Sequence, residues 1–498
     1  MRNKHGLAKG LLVSQKRTPY VTAVIKYVKE NRIPFHMPGH KQGRGVDHLL
    51  KSKNVFGESV FRYDLTEVDG LDYLNSPNGV ILEAEKLAAK AFGSFKTYFL
   101  VNGSTVGNIA AILASVKEGE KIIVARNSHR STTAGLILSG AVPIYAQPTL
   151  HPPSGLYPVT SRQEIARLLQ KNRDVTAVHI TSPTHVGFVS DIRGIREMTK
   201  KKKNILIVDE AHGAHFPFHP SLPESSIRLG ADLVVQSVHK TLSSFTQTSM
   251  LHLNKNPFVE ADYLEQILSL LQSSSPSTLL VMSLDMTRKQ MAQQGFSLLE
   301  RTLKLADKAR REINSLKGFH CYGEEVVGTN DIVAIDRTKL LIDVSESGYT
   351  GTELERLLGR KYKIEIEMSD ERNILCFVTI GDSEQTINSL ISTLRSISLR
   401  SCANKNIENK PHQMPEMPKM IATPKEAFFA PKRRLDLRFS LGKISGEFII
   451  PFPPDIPLIV PGEMITKAIL NHIDWLKEKA IPLIGPSDKE INTILVLK

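Results

Sequence analysis

Five short apolar runs recur between helical stretches from about residue 80 onward: Tyr98–Val101, Ile122–Val124, Ala177–Ile180, Ile205–Val208 and Leu233–Val235. Runs of this length without polar alternation are the pattern of strands buried on both faces, and the helices between them supply the covering layers. The pattern confines the chain to an α/β fold with a mostly parallel sheet. Open sheets of that kind bind ligands at the carboxyl ends of their strands. Chemistry is therefore expected in the residues directly after each run.

Those residues are polar in every case. The first run leads into Asn102-Gly103-Ser104-Thr105-Val106-Gly107-Asn108, which opens a helical stretch. Such a turn offers free backbone N–H groups and a positive dipole end to a phosphate, although it also reads as a plain helix cap. The next runs lead to Asn127-Ser128-His129, Ser182-Pro183-Thr184, Asp209-Glu210-Ala211-His212 and Gln236-Ser237-Val238-His239-Lys240. A carboxylate at the end of a sheet is costly unless a cation pairs with it. A lysine there is expected to have a lowered pKa, which suits Schiff-base chemistry. Singly, Asp209 reads as a helix N-cap, His129 as a turn histidine and Lys240 as a surface residue. Jointly, an anion cradle, an acid and a lysine match the phosphate, ring nitrogen and aldehyde of pyridoxal phosphate (PLP). A nucleotide-binding α/β protein is the competing reading, weakened by the absence of a P-loop and of G-x-G-x-x-G.

Composition narrows the remaining classes. At 498 residues, 41% apolar and 23% charged, the chain is long enough for several domains and is neither disordered, collagen-like nor coiled-coil. No apolar run approaches the length of a membrane span; Phe448–Val460 is interrupted by Pro451, Pro453, Pro454 and Pro457. Cys321, Cys376 and Cys402 are too scattered for a disulfide scaffold or a zinc cluster, so no metal and a cytoplasmic setting are expected. The net charge of +13 raises nucleic acid as a partner. The charge is dispersed, however, and the densest run, Lys200–Lys203, is expected to end a helix before a strand as solvated surface. The basic leader Met1–Arg17 lacks the apolar core of a secretory signal. Helices are expected at 18–32, 258–272 and 284–316. An α+β region is expected over 317–400, with strands near Lys339–Val344, Ile364–Met368 and Ile374–Thr379. A polar linker over 401–424 precedes a strand-and-turn segment and a terminal helix.

The segment Val235–Ser249 (VQSVHKTLSSFTQTS) resembles the lysine-attachment signature of the ornithine/lysine/arginine decarboxylase family of PLP enzymes. The resemblance extends through FHMPGHKQG, LVNGSTVGN, ARNSHRS, VDEAHGAHF, LLQSSSPS, EAFFA and IPFPPDIPLIVPGE, so it covers nearly the whole chain. It is closest to the short bacterial form without an N-terminal flavodoxin-like wing domain. It implies an aspartate-aminotransferase-like fold (fold type I), with a large PLP domain and smaller C-terminal α+β domains. The implied division is an N-terminal segment 1–60, a PLP domain 61–310, a small domain 311–400, the linker 401–424 and a C-terminal domain 425–498.

The resemblance also implies roles. Lys240 would bind the cofactor's aldehyde, Asp209 would pair with the ring nitrogen, and His129 would stack on the ring face. Ser104, Thr105 and Val106 would hold the phosphate, helped by Ser237 and His239. Ala211 would pack against the ring. Ser273 or Ser274 would reach the phosphate of a neighbouring subunit, which makes the partner a second copy in a homodimer or higher oligomer. Departures from the family pattern are Ser182, His185, Arg130, Phe452 and Asp455. The last two put the substrate most in doubt, because they lie where the C-terminal region approaches its side chain. The implied reaction is decarboxylation of a basic L-amino acid: arginine to agmatine first, then lysine to cadaverine or ornithine to putrescine. Asp455, Glu447 and Glu463 are the candidate acids for the cationic side chain. A PLP aminotransferase and a non-catalytic binding protein on the same fold are the other classes. An arginine of the small domain facing the substrate carboxylate would favour the former, and the intact Lys240, Asp209 and His129 argue against the latter.

Overall fold

A computed structural model of the protein describes residues 15–47, 57, 59–255, 258–399, 415–451 and 456–498. The central sheet has seven strands: β1 (Lys96–Leu100), β2 (Lys121–Ala125), β3 (Val142–Ala146), β4 (Val175–Thr181), β5 (Ile205–Asp209), β6 (Leu233–Gln236) and β7 (Ser249–Leu253). Their order is β1-β7-β6-β5-β4-β2-β3. β2 is parallel to β3 and β4, and β4 to β5, whereas β7 runs antiparallel to β1 and β6. All five apolar runs fall on these strands, with Val101 just beyond the end of β1. Ile122, Ile123, Leu206, Ile207, Val234 and Val235 are fully buried, which is why their sequences show no alternation.

Two strands carry weaker signals. β3 reads Val-Pro-Ile-Tyr-Ala, and Pro143 cannot donate to a ladder; the strand is tolerated because it lies at the sheet edge. β7 contains His252 in the core. Its Nδ1 lies 2.8 Å from Thr97 Oγ1 and its Nε2 3.0 Å from Gln236 Oε1, so its polar atoms are satisfied. Burial lowers its pKa to about 3 and keeps it neutral.

The chain divides into two compact units, Met1–Ala114 with Glu210–Leu299 and Ser115–Asp209 with Glu300–Lys498. In the first, the helix Pro19–Lys29 buries Tyr20, Val21, Val24, Tyr27 and Val28 along one stripe. The segment before it is held by the long helix Thr278–Asn314, through two fully buried residues one turn apart. Asp285 pairs with Arg288 and accepts from Tyr20 N–H at 3.2 Å, while Arg288 donates to the carbonyls of Gln15 (3.0 Å) and Arg17 (2.6 Å). A buried charge of this kind is tolerated when it is paired and hydrogen-bonded.

In the second unit, the lysine run ends the helix Ile192–Lys202 ahead of β5, as expected. Cations there offset the partial negative charge of the last carbonyls. A four-stranded antiparallel sheet, in the order His320–Cys321, Lys339–Asp343, Asn373–Phe377, Met368–Ser369, packs Leu340, Ile342 and Ile374 against Ile387, Ile391 and Leu394 of the helix Glu384–Ser398. The expected strand Ile364–Met368 is only Met368–Ser369. Ile364 N–H donates 3.1 Å to the Leu358 carbonyl at a helix end, so it is not available to a ladder. The C-terminal region also corrects an expectation. The helix Lys467–Glu478 is followed by a final strand, Thr493–Leu497, antiparallel to Lys432–Asp436, with Ile494 and Val496 inward. Among the described residues no helix is long and apolar enough to cross a membrane.

Candidate active site

The cradle in the first unit is built at the end of β1. The chain turns through Gly103, at φ +71°, into the helix Gly103–Ser115. A Cβ on Gly107 would stand 2.7 Å from Val235 Cγ1 and 2.9 Å from Leu100 Cδ1, so only glycine lets this helix lie so close to the strands. Its free N–H groups are therefore presented at the strand ends. Ser104 Oγ lies 2.8 Å from Ser237 Oγ and donates to Ser249 Oγ at 3.0 Å. Three hydroxyls at the N-terminus of a 13-residue helix suit a phosphate. Thr105, exposed, and Val106, buried, share that first turn. Gly103 N–H donates to the Gln247 carbonyl at 2.8 Å and Gln247 Nε2 to the Val101 carbonyl at 2.6 Å, which pins the loop before β7. Ser249 was not singled out from sequence, although it closes the Val235–Ser249 signature.

Lys240 lies on the short helix Val238–Thr241 that follows β6 and Ser237. Its Nζ is 3.0 Å from His212 Nε2. His239 Nδ1 is 2.7 Å from the Thr248 carbonyl, so that nitrogen carries the proton. Burial lowers the His239 pKa, with the Thr248 carbonyl opposing and Lys240 adding to the shift. Ala211 is buried, and Glu210 turns into the core to accept from Ser226 N–H at 2.7 Å and Gln236 Nε2 at 3.3 Å. Burial raises Glu210 to about 7 against these hydrogen bonds. His212, beside Lys240, is a second candidate residue that sequence reasoning passed over, although Asp-Glu-Ala-His displayed it.

Ser273 and Ser274 follow the helix Ala261–Leu271 and are exposed, and neither joins the serine cluster of its own chain. Gln272 before them is buried, accepting from Val101 N–H at 3.0 Å. The Ser273 carbonyl accepts from Asn75 Nδ2 at 2.9 Å.

In the second unit Asp209 is the last residue of β5, 3% exposed, in register with Thr181. Its carbonyl accepts from Ser182 N–H at 3.0 Å. His179, fully buried on β4, is lowered to about 4 by burial, and the Asp209 charge opposes that shift. His129 caps the helix Arg130–Ser139: its Nδ1 accepts from Ser131 N–H at 3.1 Å and lies 2.8 Å from Ser131 Oγ. An accepting Nδ1 puts the proton of the neutral ring on Nε2 and fixes the ring's orientation.

Two candidate acids are already committed. Glu463, fully buried, is gripped by both Arg126 amino nitrogens at 2.9 and 3.0 Å and also accepts from Val460 N–H at 2.9 Å. Glu447 accepts from the N–H groups of Ser487 and Leu495, each at 2.8 Å. Both stabilise the fold of the C-terminal region, which corrects their candidacy. Asp455 and Phe452 lie outside the described residues. The small-domain Arg372 is paired with Asp343 at 3.2 Å.

Each unit offers groups that PLP requires: the first a hydroxyl cradle at a helix N-terminus for phosphate and a lysine beside an imidazole, the second a buried carboxylate ending a strand. The comparisons with known proteins agree. Residues 18–386 match the Orn/Lys/Arg decarboxylase major domain, and residues 407–482 the C-terminal domain of the same family. The chain is 36% identical to an arginine decarboxylase of Bacillus anthracis over 488 residues, 98% of each chain. It is 25% identical to a lysine decarboxylase of Hafnia alvei, across 92% of this chain and 75% of that one. The crystal structure of the Francisella novicida lysine decarboxylase LdcF superposes with a TM-score of 0.82 at 21% identity, covering 96% of this chain and 81% of that one, and supports the fold. Both halves of the sequence thus point the same way, and the chain belongs to the Orn/Lys/Arg decarboxylase family.

Proposed function

We propose that the chain decarboxylates L-arginine to agmatine and CO2, with PLP as its cofactor. The observation that carries the substrate is the end-to-end match with arginine decarboxylases at 36% identity, against 25% with a lysine decarboxylase three-quarters aligned. Lysine and ornithine are the alternative substrates. Bound PLP supplies an electron-accepting ring for the pair left on Cα when CO2 departs.

The chain's own residues do the rest. Lys240 would hold the cofactor's aldehyde group. Asp209, buried at the end of β5, would pair with the ring nitrogen and so help the ring to accept electrons. His129, orientated by Ser131, would cover the ring, and Ala211 is small enough to leave room for it. Ser104, Ser237 and Ser249, with the N–H groups of Thr105 and Val106 and with His239 nearby, would anchor the phosphate. Each turnover consumes one proton at Cα. Ser273 and Ser274, exposed on their own chain, complete the phosphate site of a second copy in a homodimer. A cytoplasmic setting and the domain division 61–310, 311–400 and 425–498 belong to the same reading.

The test is product identification with arginine, lysine and ornithine supplied together at equal concentration. Agmatine is expected to dominate. Dominant cadaverine or putrescine would overturn the substrate and leave the decarboxylase standing.

A further inference from the structure

A relay of side-chain hydrogen bonds crosses the first unit from strand to strand. Glu210, fully buried just beyond β5, accepts from Ser226 N–H through Oε2 and from Gln236 Nε2 through Oε1, at 2.7 and 3.3 Å. Gln236 Oε1, at the end of β6, lies 3.0 Å from Nε2 of His252 on β7. His252 Nδ1 lies 2.8 Å from Oγ1 of Thr97 on β1, and that hydroxyl lies 2.7 Å from Ser94 Oγ. Gln236, His252 and Thr97 are buried, whereas Ser94 is partly exposed.

One residue fixes the direction of every bond in the relay. An ionised carboxylate only accepts, so Gln236 turns its NH2 to Glu210 and its carbonyl to His252. His252 then carries its ring proton on Nε2, and Nδ1 accepts from the Thr97 hydroxyl, which accepts from Ser94. A protonated Glu210 reverses this order. Its Oε2 still answers Ser226 N–H, so the proton sits on Oε1 and Gln236 turns its carbonyl to it. His252 then accepts at Nε2 and donates from Nδ1 to Thr97, which donates to Ser94. Burial lowers His252 to about 3, so it is neutral in both arrangements and only its tautomer changes. The groups that answer Glu210 are uncharged: Ser225 and Ser226 ahead of β6, and Gln236 on it. Burial holds Glu210 up to about 7 against them, so both arrangements are within reach near neutrality.

Both ends of the Glu210–Gln236 bond continue directly into the candidate site. Glu210 N–H donates to the Val235 carbonyl at 2.9 Å, and the Glu210 carbonyl accepts from Gly213 N–H at 2.9 Å, which closes the turn carrying Ala211 and His212. His212 reaches Lys240, and Gln236 is followed by Ser237 of the hydroxyl cradle. We propose that Glu210 is a positioning residue whose charge sets the direction of the relay, and whose ionised form holds the His212 turn and Ser237 in the arrangement that binds PLP. The link to PLP rests on the proposed cofactor, whereas the direction of the relay does not. By reciprocity, PLP and a proton on Glu210 oppose each other.

His252 reports the direction. Nitrogen NMR of the holoenzyme with isotopically labelled histidine would identify it by the resonances missing from His252→Gln. The Nε2–H tautomer is expected at about pH 8.5 and the Nδ1–H tautomer at about pH 5.5. One tautomer throughout would overturn the proposal. Glu210→Gln locks the reversed direction, because its carbonyl keeps the Ser226 N–H while its NH2 meets Gln236. The PLP dissociation constant would be read from the visible absorbance of the holoenzyme on dilution. It should be about tenfold higher in the variant than in wild type at about pH 8.5, and equal at about pH 5.5. The same ratio at both pH values is the mark of a merely structural residue and would overturn the positioning role, as would no difference at either. Should the variant fail to fold, the tautomer in the wild-type enzyme decides alone. A protein that binds no PLP while His252 changes tautomer would refute the cofactor and leave the direction of the relay intact.

Discussion

Lys240 Nζ and His212 Nε2 stand 3.0 Å apart. A lysine amine can donate in either charge state, so Nε2 of His212 can accept from it. The imidazole thus holds the lysine at one angle before any cofactor arrives.

Replacing His212 with Phe keeps a ring of similar size and removes the acceptor. A hydrogen bond to a charged group contributes about 1.5–3 kcal/mol, so kcat should fall roughly ten- to a hundredfold while PLP is still captured. Steady-state kinetics beside the visible absorbance of the holoenzyme checks this. Wild-type kcat in the variant would remove His212 from the site.

Asp209→Asn tests the ring-nitrogen partner. Losing a buried charge-assisted pair costs roughly 3 kcal/mol, about a hundredfold in rate. The variant should retain PLP and decarboxylate poorly. Activity within a fewfold of wild type would mean that Asp209 only ends its strand.

Dimer affinity and PLP binding should be linked if Ser273 and Ser274 serve a partner's phosphate, because a ligand that binds only the dimer stabilises it. Equilibrium sedimentation should show a weaker dimer without PLP, and the double Ala variant should lose PLP more readily. A fully active monomer would rule out the shared site.

Stability against pH should carry the mark of Glu85. Burial pushes this carboxyl up to about 8, against the opposing Phe99 N–H at 2.8 Å. Above the ordinary value of 4.5 the unfolded chain has released the proton while the folded chain still holds it. The contribution is therefore full below pH 4.5 and is lost as pH rises through about 8. Glu85→Gln should raise the Tm of the holoenzyme at pH 8.5 relative to wild type, with the difference shrinking toward pH 5. A difference independent of pH would show that Glu85 does not titrate in this range.

Strand-end chemistry is legible in the sequence when it is local. Asp209 follows four apolar residues and Lys240 follows Gln-Ser-Val-His, so their places at the ends of β5 and β6 needed only the pattern of the runs. The strands that escaped the pattern did so for local reasons as well. Pro143 disguises β3, and Ser249 with His252 disguises β7, because edge position and a paired core histidine are visible only once neighbours are in place.

The sequence by itself determined the fold class, the family and the polar residues that follow the strands, because apolar periodicity and short motifs are properties of contiguous residues. Only the tertiary structure decided which polar groups answer one another. It brought Ser249 to Ser104 across 145 positions and set His212 beside Lys240. It also committed Glu463 to Arg126 and Glu447 to backbone N–H groups. A carboxylate's availability is set by the donors folded around it, and those donors come from distant parts of the chain.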